Sequence, residues 1–527
     1  MGTVVSDVFL GVDLGTSSVK VVMVDETGRL RATGTGDYPV SHPQPGWAEQ
    51  DPEAWWRGTV EAVRQAVGWG GSGQRVAGIG FSGQMHGTVL RDQAGRLLAP
   101  AIIWADGRSR TQVEEITAKV GPRRLIEIAG SPLATGFQAA SVAWVKQERS
   151  SVWWRTRHVM LPKDDLRWRC CGETATDPGD GSSTLLFDAR WRNWSPELLE
   201  VVGVEQAHLP PVQPAASIAG ELLPAPADEL GLPPGVPLAV GTADAASGLL
   251  GAGIVQPTSM LLSISTGAQV MVPSAAFDPD PKGRSHAFCS ALEPATGKPG
   301  WYQMGATLAA GMALKWLRDE LLGLAGPDAY ERMTGWAAQS EIGARGLLFL
   351  PYLAGERTPH MDSRARGAFL GLGAHHTRGD LVRAVIEGTT LACLDAFAVL
   401  REQGAAPTQI VMAGGGARSP LWRQIVADSF GLPVVALATA DQAAMGAAVL
   451  AVAAVRGRDP VSTARAWASY GPPTEPSPAR HARYAEVHDL FRQAYGETIA
   501  TSHRLADFGE PPRRQFGTPR RPLSSGA

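Results

Sequence analysis

Cysteine is scarce. The 527 residues hold four, Cys170, Cys171, Cys289 and Cys393, without metal-ligand spacing. Neighbours such as Cys170 and Cys171 do not readily bridge each other, so a disulfide framework is excluded and reduced thiols are expected. An excess of either charge is also missing: 48 Lys and Arg stand against 51 Asp and Glu, a formal net charge of -3. That leaves no electrostatic footprint for nucleic acid or an anionic membrane. Long apolar runs are absent too. The most apolar stretches, near 235–255 and 443–455, are rich in Gly and Ala, and the first carries Asp244, so no membrane span is expected. The start, MGTVVSDVFLGVDLG, has neither the basic opening nor the apolar core of a signal peptide, and a cytoplasmic protein is expected. There is no Walker A loop, because the Gly297-Lys298 pair runs into Pro299. Gly78 to Gly83 fits GxGxxG, but its glycines begin inside a strand and no helix opens after them, which excludes a dinucleotide fold.

What is present is the composition of a globular enzyme, 44% hydrophobic and 19% charged, long enough for two domains. Val8 to Val12 reads as a strand, Asp13 to Ser18 as a glycine-bearing turn and Val19 to Val24 as the return strand. A similar opening recurs halfway along: Ser259 to Ile264, the turn Ser265-Thr266-Gly267, then Ala268 to Val272. Helical patterns at 55–67, 113–119 and 380–402 alternate with strand-like runs at 76–81 and 236–240, which makes the fold class α/β. Ser419 and Pro420 suit a helix start, and Gly431 its end. From about His503 the pattern stops, and a Pro- and Arg-rich disordered tail is expected.

Six segments could carry chemistry. A turn such as Gly15-Thr16-Ser17 at a strand end can offer several backbone N–H groups to one phosphate. Asp13 beside it could approach magnesium, and Lys20 adds positive charge. An ordinary hairpin is the competing reading. Thr266 and Gly267 would form the matching loop of a phosphate clamp. Gly414, Gly415 and Gly416, ahead of the helix capped at Ser419, would let the adenosine end of a nucleotide lie against backbone. Asp244 follows a strand among small residues, where it could take the proton of a sugar hydroxyl or simply cap the next helix. In IGFSGQMHG, Gln84 and His86 can hydrogen-bond sugar hydroxyls while Met85 packs on the carbon skeleton. Trp104, Asp106 and Arg108 are candidates for the sugar rim.

Together these pieces resemble the FGGY family of carbohydrate kinases, and within it the xylulokinases. The likeness runs from about Phe9 to about Leu490 through GVDLGTSSVK, GWAEQDPEAWW, GQMHG, AIIWADGR, LPKDDLR, LPYLAGERTPH and GGGARSPLWRQIVAD, and 367–387 fits the family's C-terminal signature. The resemblance implies two actin-like, ribonuclease-H-like domains around a central cleft. Residues 1–254 would bind sugar and hold the base, 255–500 would bind ATP, and 501–527 would form the disordered tail. It also implies ATP and Mg2+ as cofactors, Asp13 beside the metal and phosphates, Asp244 as catalytic base, Met85 and His86 at the sugar, and a homodimer. Two positions depart from the family pattern: Ala245 stands where an Asn is usual, which removes a hydrogen-bonding amide from the sugar side, and Ser141 stands where a Lys is usual.

The expected reaction is phosphorylation of a ketopentose, D-xylulose, to its 5-phosphate. The alternatives are a kinase for ribulose, a pentitol or glycerol, and an actin-like ATPase that would need neither QMHG nor GERTPH.

Overall fold

The computed structural model describes residues 6–69, 74–295, 298–439 and 441–509. The first sheet has seven strands: β1 (Ser6–Leu14), β2 (Ser18–Asp25), β3 (Leu30–Asp37), β4 (Gln74–Gly83), β5 (Ile218–Glu221), β6 (Pro237–Ala239) and β7 (Thr242–Ala243). Their order is β5-β6-β4-β1-β2-β3, with β7 also on β4. β1, β2 and β3 run antiparallel in turn, while β4 lies parallel to β1. The centre of β1 is buried over five consecutive residues, which is why its sequence is a near-continuous apolar run rather than an alternation.

The second sheet repeats this plan. Its strands are β8 (Ser259–Ile264), β9 (Ala268–Ser274), β10 (His286–Cys289), β11 (Trp301–Thr307), β12 (Gln409–Gly414) and β13 (Val434–Ala436), in the order β10-β11-β9-β8-β12-β13. Here β8 pairs antiparallel with β9, β9 with β11, and β12 lies parallel to β8. Each half is thus an antiparallel meander extended by parallel strands on the far side of its first strand, and each first hairpin closes over a short polar turn.

Seven helices matter for the site: α1 (Pro52–Trp69), α2 (Pro162–Cys171), α3 (Asp244–Gly251), α4 (Arg378–Glu402), α5 (Pro420–Phe430), α6 (Gln442–Arg456) and α7 (Pro478–Gly509). Ser419 caps α5 by accepting from Trp422 N, and Gly431 closes it in the left-handed conformation, as its sequence leads one to expect.

α6 comes from the C-terminal half yet docks on the sheet of the N-terminal half. Glycine makes this possible: a Cβ on Gly80 would lie 1.8 Å from Ala447 O, and one on Gly11 1.9 Å from Ala444 O. α6 also crosses α3 at backbone contact, since a Cβ on Gly446 would lie 1.9 Å from Ser247 O. The buried cluster at this junction mixes both halves, joining Met85, Ala243 and Ala245 to Phe288, Tyr302 and Met304.

The disordered tail expected from residue 501 needs correction. α7 continues to Gly509, held by Ser502 Oγ accepting from Arg366 N, by His503 Nε2 at 2.7 Å from Asp362 Oδ2 and by an Arg364–Asp507 ion pair. Ala506 is buried beneath it. These partners lie more than a hundred residues upstream, so local sequence does not reveal them. Residues 510–527 fall outside the described residues.

Candidate active site

Strand register brings the two key carboxylates to one level. On β4, Ser82 faces Asp13 of β1 on one side and Thr242 of β7 on the other, and Gly83 likewise faces Leu14 and Ala243. Two strand spacings, roughly 10 Å, therefore separate Asp13 from Thr242, and Asp244 opens α3 directly afterwards.

Asp13 Oδ1 accepts from Ser82 Oγ at 3.0 Å. Its pKa is raised to about 6, chiefly by burial, with Asp441 adding to the rise while Ser82 and Lys20 oppose it. Asp244 is raised to about 7 by burial first and then by the charge of Asp13, against one hydrogen bond from Ala245 N to Oδ1 at 2.7 Å. Among the described residues no Lys, Arg or His forms an ion pair with Asp244, and both carboxylates keep some access to solvent. Asp244 also lies beside the second half: its neighbours Ala243 and Ala245 share a buried cluster with Tyr302 of β11, whose phenol is pushed up by burial first and then by the Asp244 charge. The helix-capping alternative is partly realised, since Asp244 does bond the first turn of α3, but only one of its oxygens is engaged there.

The two first hairpins are built alike. Gly15 N donates to Ser18 O, and Ser265 N to Gly267 O. Among the described residues, the N–H groups of Thr16, Ser17, Thr266 and Gly267 reach no protein acceptor. The first hairpin is braced from below: Tyr38 OH donates to Gly15 O, Gln50 Nε2 to Thr16 O, and Trp104 Nε1 to Thr16 Oγ1. Lys20 pairs with Asp441 at 2.9 Å, which ties the first hairpin to the start of α6. At the end of β12, Gly414 has φ 79° and would clash through a Cβ with Ile264 O. Gly415 faces open space, Gly416 packs on Ile264, and the Ser419 hydroxyl is spent on its cap.

His86 is buried in a left-handed conformation, φ 71°, with its ring stacked 3.9 Å from Phe137. Its Nδ1 lies 2.7 Å from Ser183 O. A carbonyl only accepts, so Nδ1 carries the proton and Nε2 is left as an acceptor. Burial, reinforced by the charge of Arg357, lowers its pKa to about 3, and the ring is neutral at physiological pH. Met85 is buried in the cluster that also holds Ala243 and Ala245.

Other expected site residues have different roles. Asp106 does not form a sugar rim: it is 1% exposed, and its oxygens accept from Ala48 N and Arg108. Arg108 is likewise consumed, paired with Asp106 and Glu49 and lying 3.7 Å over Trp47. Gln84 is turned toward the first hairpin, donating to Gln50 Oε1 and weakly to Gly15 O. Trp104 also joins that hairpin through its indole.

Behind Asp244 lies an ionic cluster with no exposed side chain. Lys163 contacts Asp164, Asp177 and Asp180, and Arg167 contacts Asp164. Arg167 also donates to Val240 O, and Thr242 to Asp177 Oδ2, so the cluster grips the chain on both sides of Gly241. LPKDDLR contributes the two cations and Asp164, but Asp177 and Asp180 come from elsewhere, and nothing local announces the network.

The N-terminal domain of the FGGY family of carbohydrate kinases matches residues 8–251, and its C-terminal domain matches residues 260–455. The chain belongs to the FGGY family of carbohydrate kinases. Xylulose kinase of Escherichia coli K12 is 35% identical over 93% of this chain and 99% of its own length. Xylulose kinase of Bacillus subtilis is 35% identical over 84% of this chain and 87% of its own. Among solved structures, a xylulose kinase from Brucella ovis aligns with a TM-score of 0.86 at 34% identity, covering 94% of this chain and 100% of that one. The fold is therefore the two-domain, actin-like fold of FGGY kinases, a family that uses ATP as phosphoryl donor. No described helix is long and apolar enough to cross a membrane.

Among the described residues, no group of three or more His, Cys, Asp or Glu side chains is set to hold a metal. Magnesium does not require one, because it keeps several waters and binds one or two carboxylates together with substrate phosphates. Asp13, set between the first hairpin and Asp244 with Oδ1 bonded only to a hydroxyl, fits that donor set.

Proposed function

We propose that this protein transfers the γ-phosphoryl group of ATP to the primary hydroxyl of a ketopentose, D-xylulose, yielding D-xylulose 5-phosphate and ADP. The observation that carries the reading is Asp244: a carboxylate at the junction of the halves, free of any cation partner among the described residues, at the end of a strand that lies two strand spacings from Asp13. The curated relatives named above, both xylulose kinases, support the choice of sugar.

In this reading residues 1–254 hold the sugar and the base, and 255–500 hold the nucleotide. The sugar hydroxyl donates to Asp244 while its oxygen attacks γ-phosphorus. The new O–P bond forms as the bond from γ-phosphorus to the β–γ bridging oxygen breaks. The hydroxyl proton passes to the Asp244 carboxylate and ADP departs. The free N–H groups of Thr16, Ser17, Thr266 and Gly267 meet phosphate oxygens from both sides. His86 Nε2 accepts from a sugar hydroxyl, and Met85 packs on the carbon chain. Asp13 would hold magnesium, which would supply charge neutralisation of the phosphates. Four buried, unpaired thiols suit a reducing cytoplasm.

The test is a panel of D-xylulose, ribulose, pentitols, glycerol and gluconate, followed by ADP release. Gluconate belongs on it because a gluconokinase of Bacillus subtilis is 29% identical over 84% of this chain. D-Xylulose should show the highest kcat/KM. A higher value for any other substrate overturns the assignment of sugar, and ADP release that no substrate stimulates overturns the kinase reading.

A further inference from the structure

Arg357 is carried by the second half, in the segment 351–367 that follows the strand Leu348–Leu350. Its backbone is pinned on both sides: Glu356 and Asp362 exchange N–H···O bonds, and Thr358 N donates to Ala306 O of β11. Glu356 is buried; its Oε1 accepts from Leu308 N and Arg357 N, and its charge acts on the Arg357 guanidinium without an ion-pair contact.

The guanidinium points across the junction. It lies 5.8 Å from the ring of Trp104 in the first half, and that indole is bonded to Thr16 in the first hairpin. Its charge also bears on His86 and on the buried His286 of β10. Among the described residues, no carboxylate lies within ion-pair distance of Arg357 and its side chain donates no hydrogen bond. The other cation at the first hairpin, Lys20, is already paired with Asp441.

A half-buried guanidinium without an ion-pair or hydrogen-bond partner costs free energy unless an anion arrives to pair with it. The junction already holds two carboxylates, Asp13 and Asp244, and the reaction adds a phosphoryl group whose charge spreads over its outer oxygens during transfer. A neutral sugar would leave the cation uncompensated. We propose that Arg357 reaches from the second half to pair with the phosphoryl group as it passes from nucleotide to acceptor oxygen. This rests on the sugar-kinase reading above.

The experiment uses full-length R357Q, R357K and R357A, each checked for folding by circular dichroism. For R357Q, kcat should fall on the order of 10²–10³-fold, with KM for sugar and for ATP each within about threefold. R357K should recover part of the loss, and added guanidinium should raise the rate of R357A, which a purely structural role would not allow. Binding of ADP with aluminium fluoride should weaken in R357Q while binding of ADP alone does not. A preserved kcat, or a loss confined to a higher sugar KM, overturns the proposal. If R357Q does not fold, R357K decides: an unchanged kcat together with unchanged aluminium fluoride binding overturns it. Wild-type protein that phosphorylates no sugar would defeat the kinase reading instead, a result the binding arm keeps separate.

Discussion

Thr242 donates its hydroxyl to Asp177 Oδ2 at 2.5 Å, so the residue two before the proposed base hangs from a fully buried ionic cluster. That cluster has two cations, Lys163 and Arg167, and three carboxyls. Burial pushes Asp180 well above the usual carboxylate range, its nearest cation opposing. Burial favours the protonated form of Asp180, in which two cations face two carboxylates. Lys163→Met should therefore cost about 3–5 kcal/mol, because it strands buried charge. Asp180→Asn should change stability by less than about 1 kcal/mol. Urea unfolding at pH 7 compares the two, and equal losses would refute this account.

Asp244→Ala should lower sugar phosphorylation on the order of 10²–10⁴-fold while leaving ADP affinity unchanged, as measured by calorimetry. Near-normal turnover would remove Asp244 from the mechanism.

The raised pKa values of Asp13 and Asp244 also set a pH dependence of stability. Each carboxyl binds its proton more tightly folded than unfolded, so each favours the fold most below about pH 4. That contribution declines as the pH rises through about 6 for Asp13 and about 7 for Asp244. Asp244→Asn, which cannot ionise, should be more stable than wild type at pH 8 without nucleotide, on the order of 1–2 kcal/mol after discounting for solvent access. The gain should vanish near pH 4. A gain that does not depend on pH would contradict the electrostatic origin.

His86→Gln should raise the sugar KM about tenfold, the loss of one well-placed hydrogen bond, with the ATP KM unmoved. Initial rates over both substrates test this. An effect on ATP alone would place His86 with the nucleotide.

Gly80→Ala should destabilise by about 3 kcal/mol or prevent folding, because its Cβ would lie 1.8 Å from Ala447 O. Gly68→Ala, in α1 with nothing within 4 Å of the new methyl, should be neutral or add up to about 1 kcal/mol. Thermal melts of both variants give the comparison.

Features written in short stretches could be read from the sequence. Strand, turn and strand around Gly15 and again around Thr266 rest on adjacent residues. So do the Ser419 cap and the Gly431 stop of α5, and all of them formed. Features that depend on distant partners could not be read. Asp106 resembles a rim carboxylate until Ala48 N and Arg108 are seen to consume it. Arg357 falls in GERTPH, a stretch the resemblance marks without giving this residue a role, and only the fold sets it beside Trp104. Asp177 and Asp180 join Lys163 across a gap of more than ten residues. The last turns of α7 depend on Asp362 and Arg364.

The seating of α6 against β1 and β4 has a consequence for dissecting the chain. A fragment ending between the two sheets would expose the groove at Gly11 and Gly80, and its complement would carry a stranded helix of alanines and valines. Neither piece is a self-sufficient module. Grafting the nucleotide half of one such kinase onto the acceptor half of another therefore requires transplanting that helix's complementary floor as well.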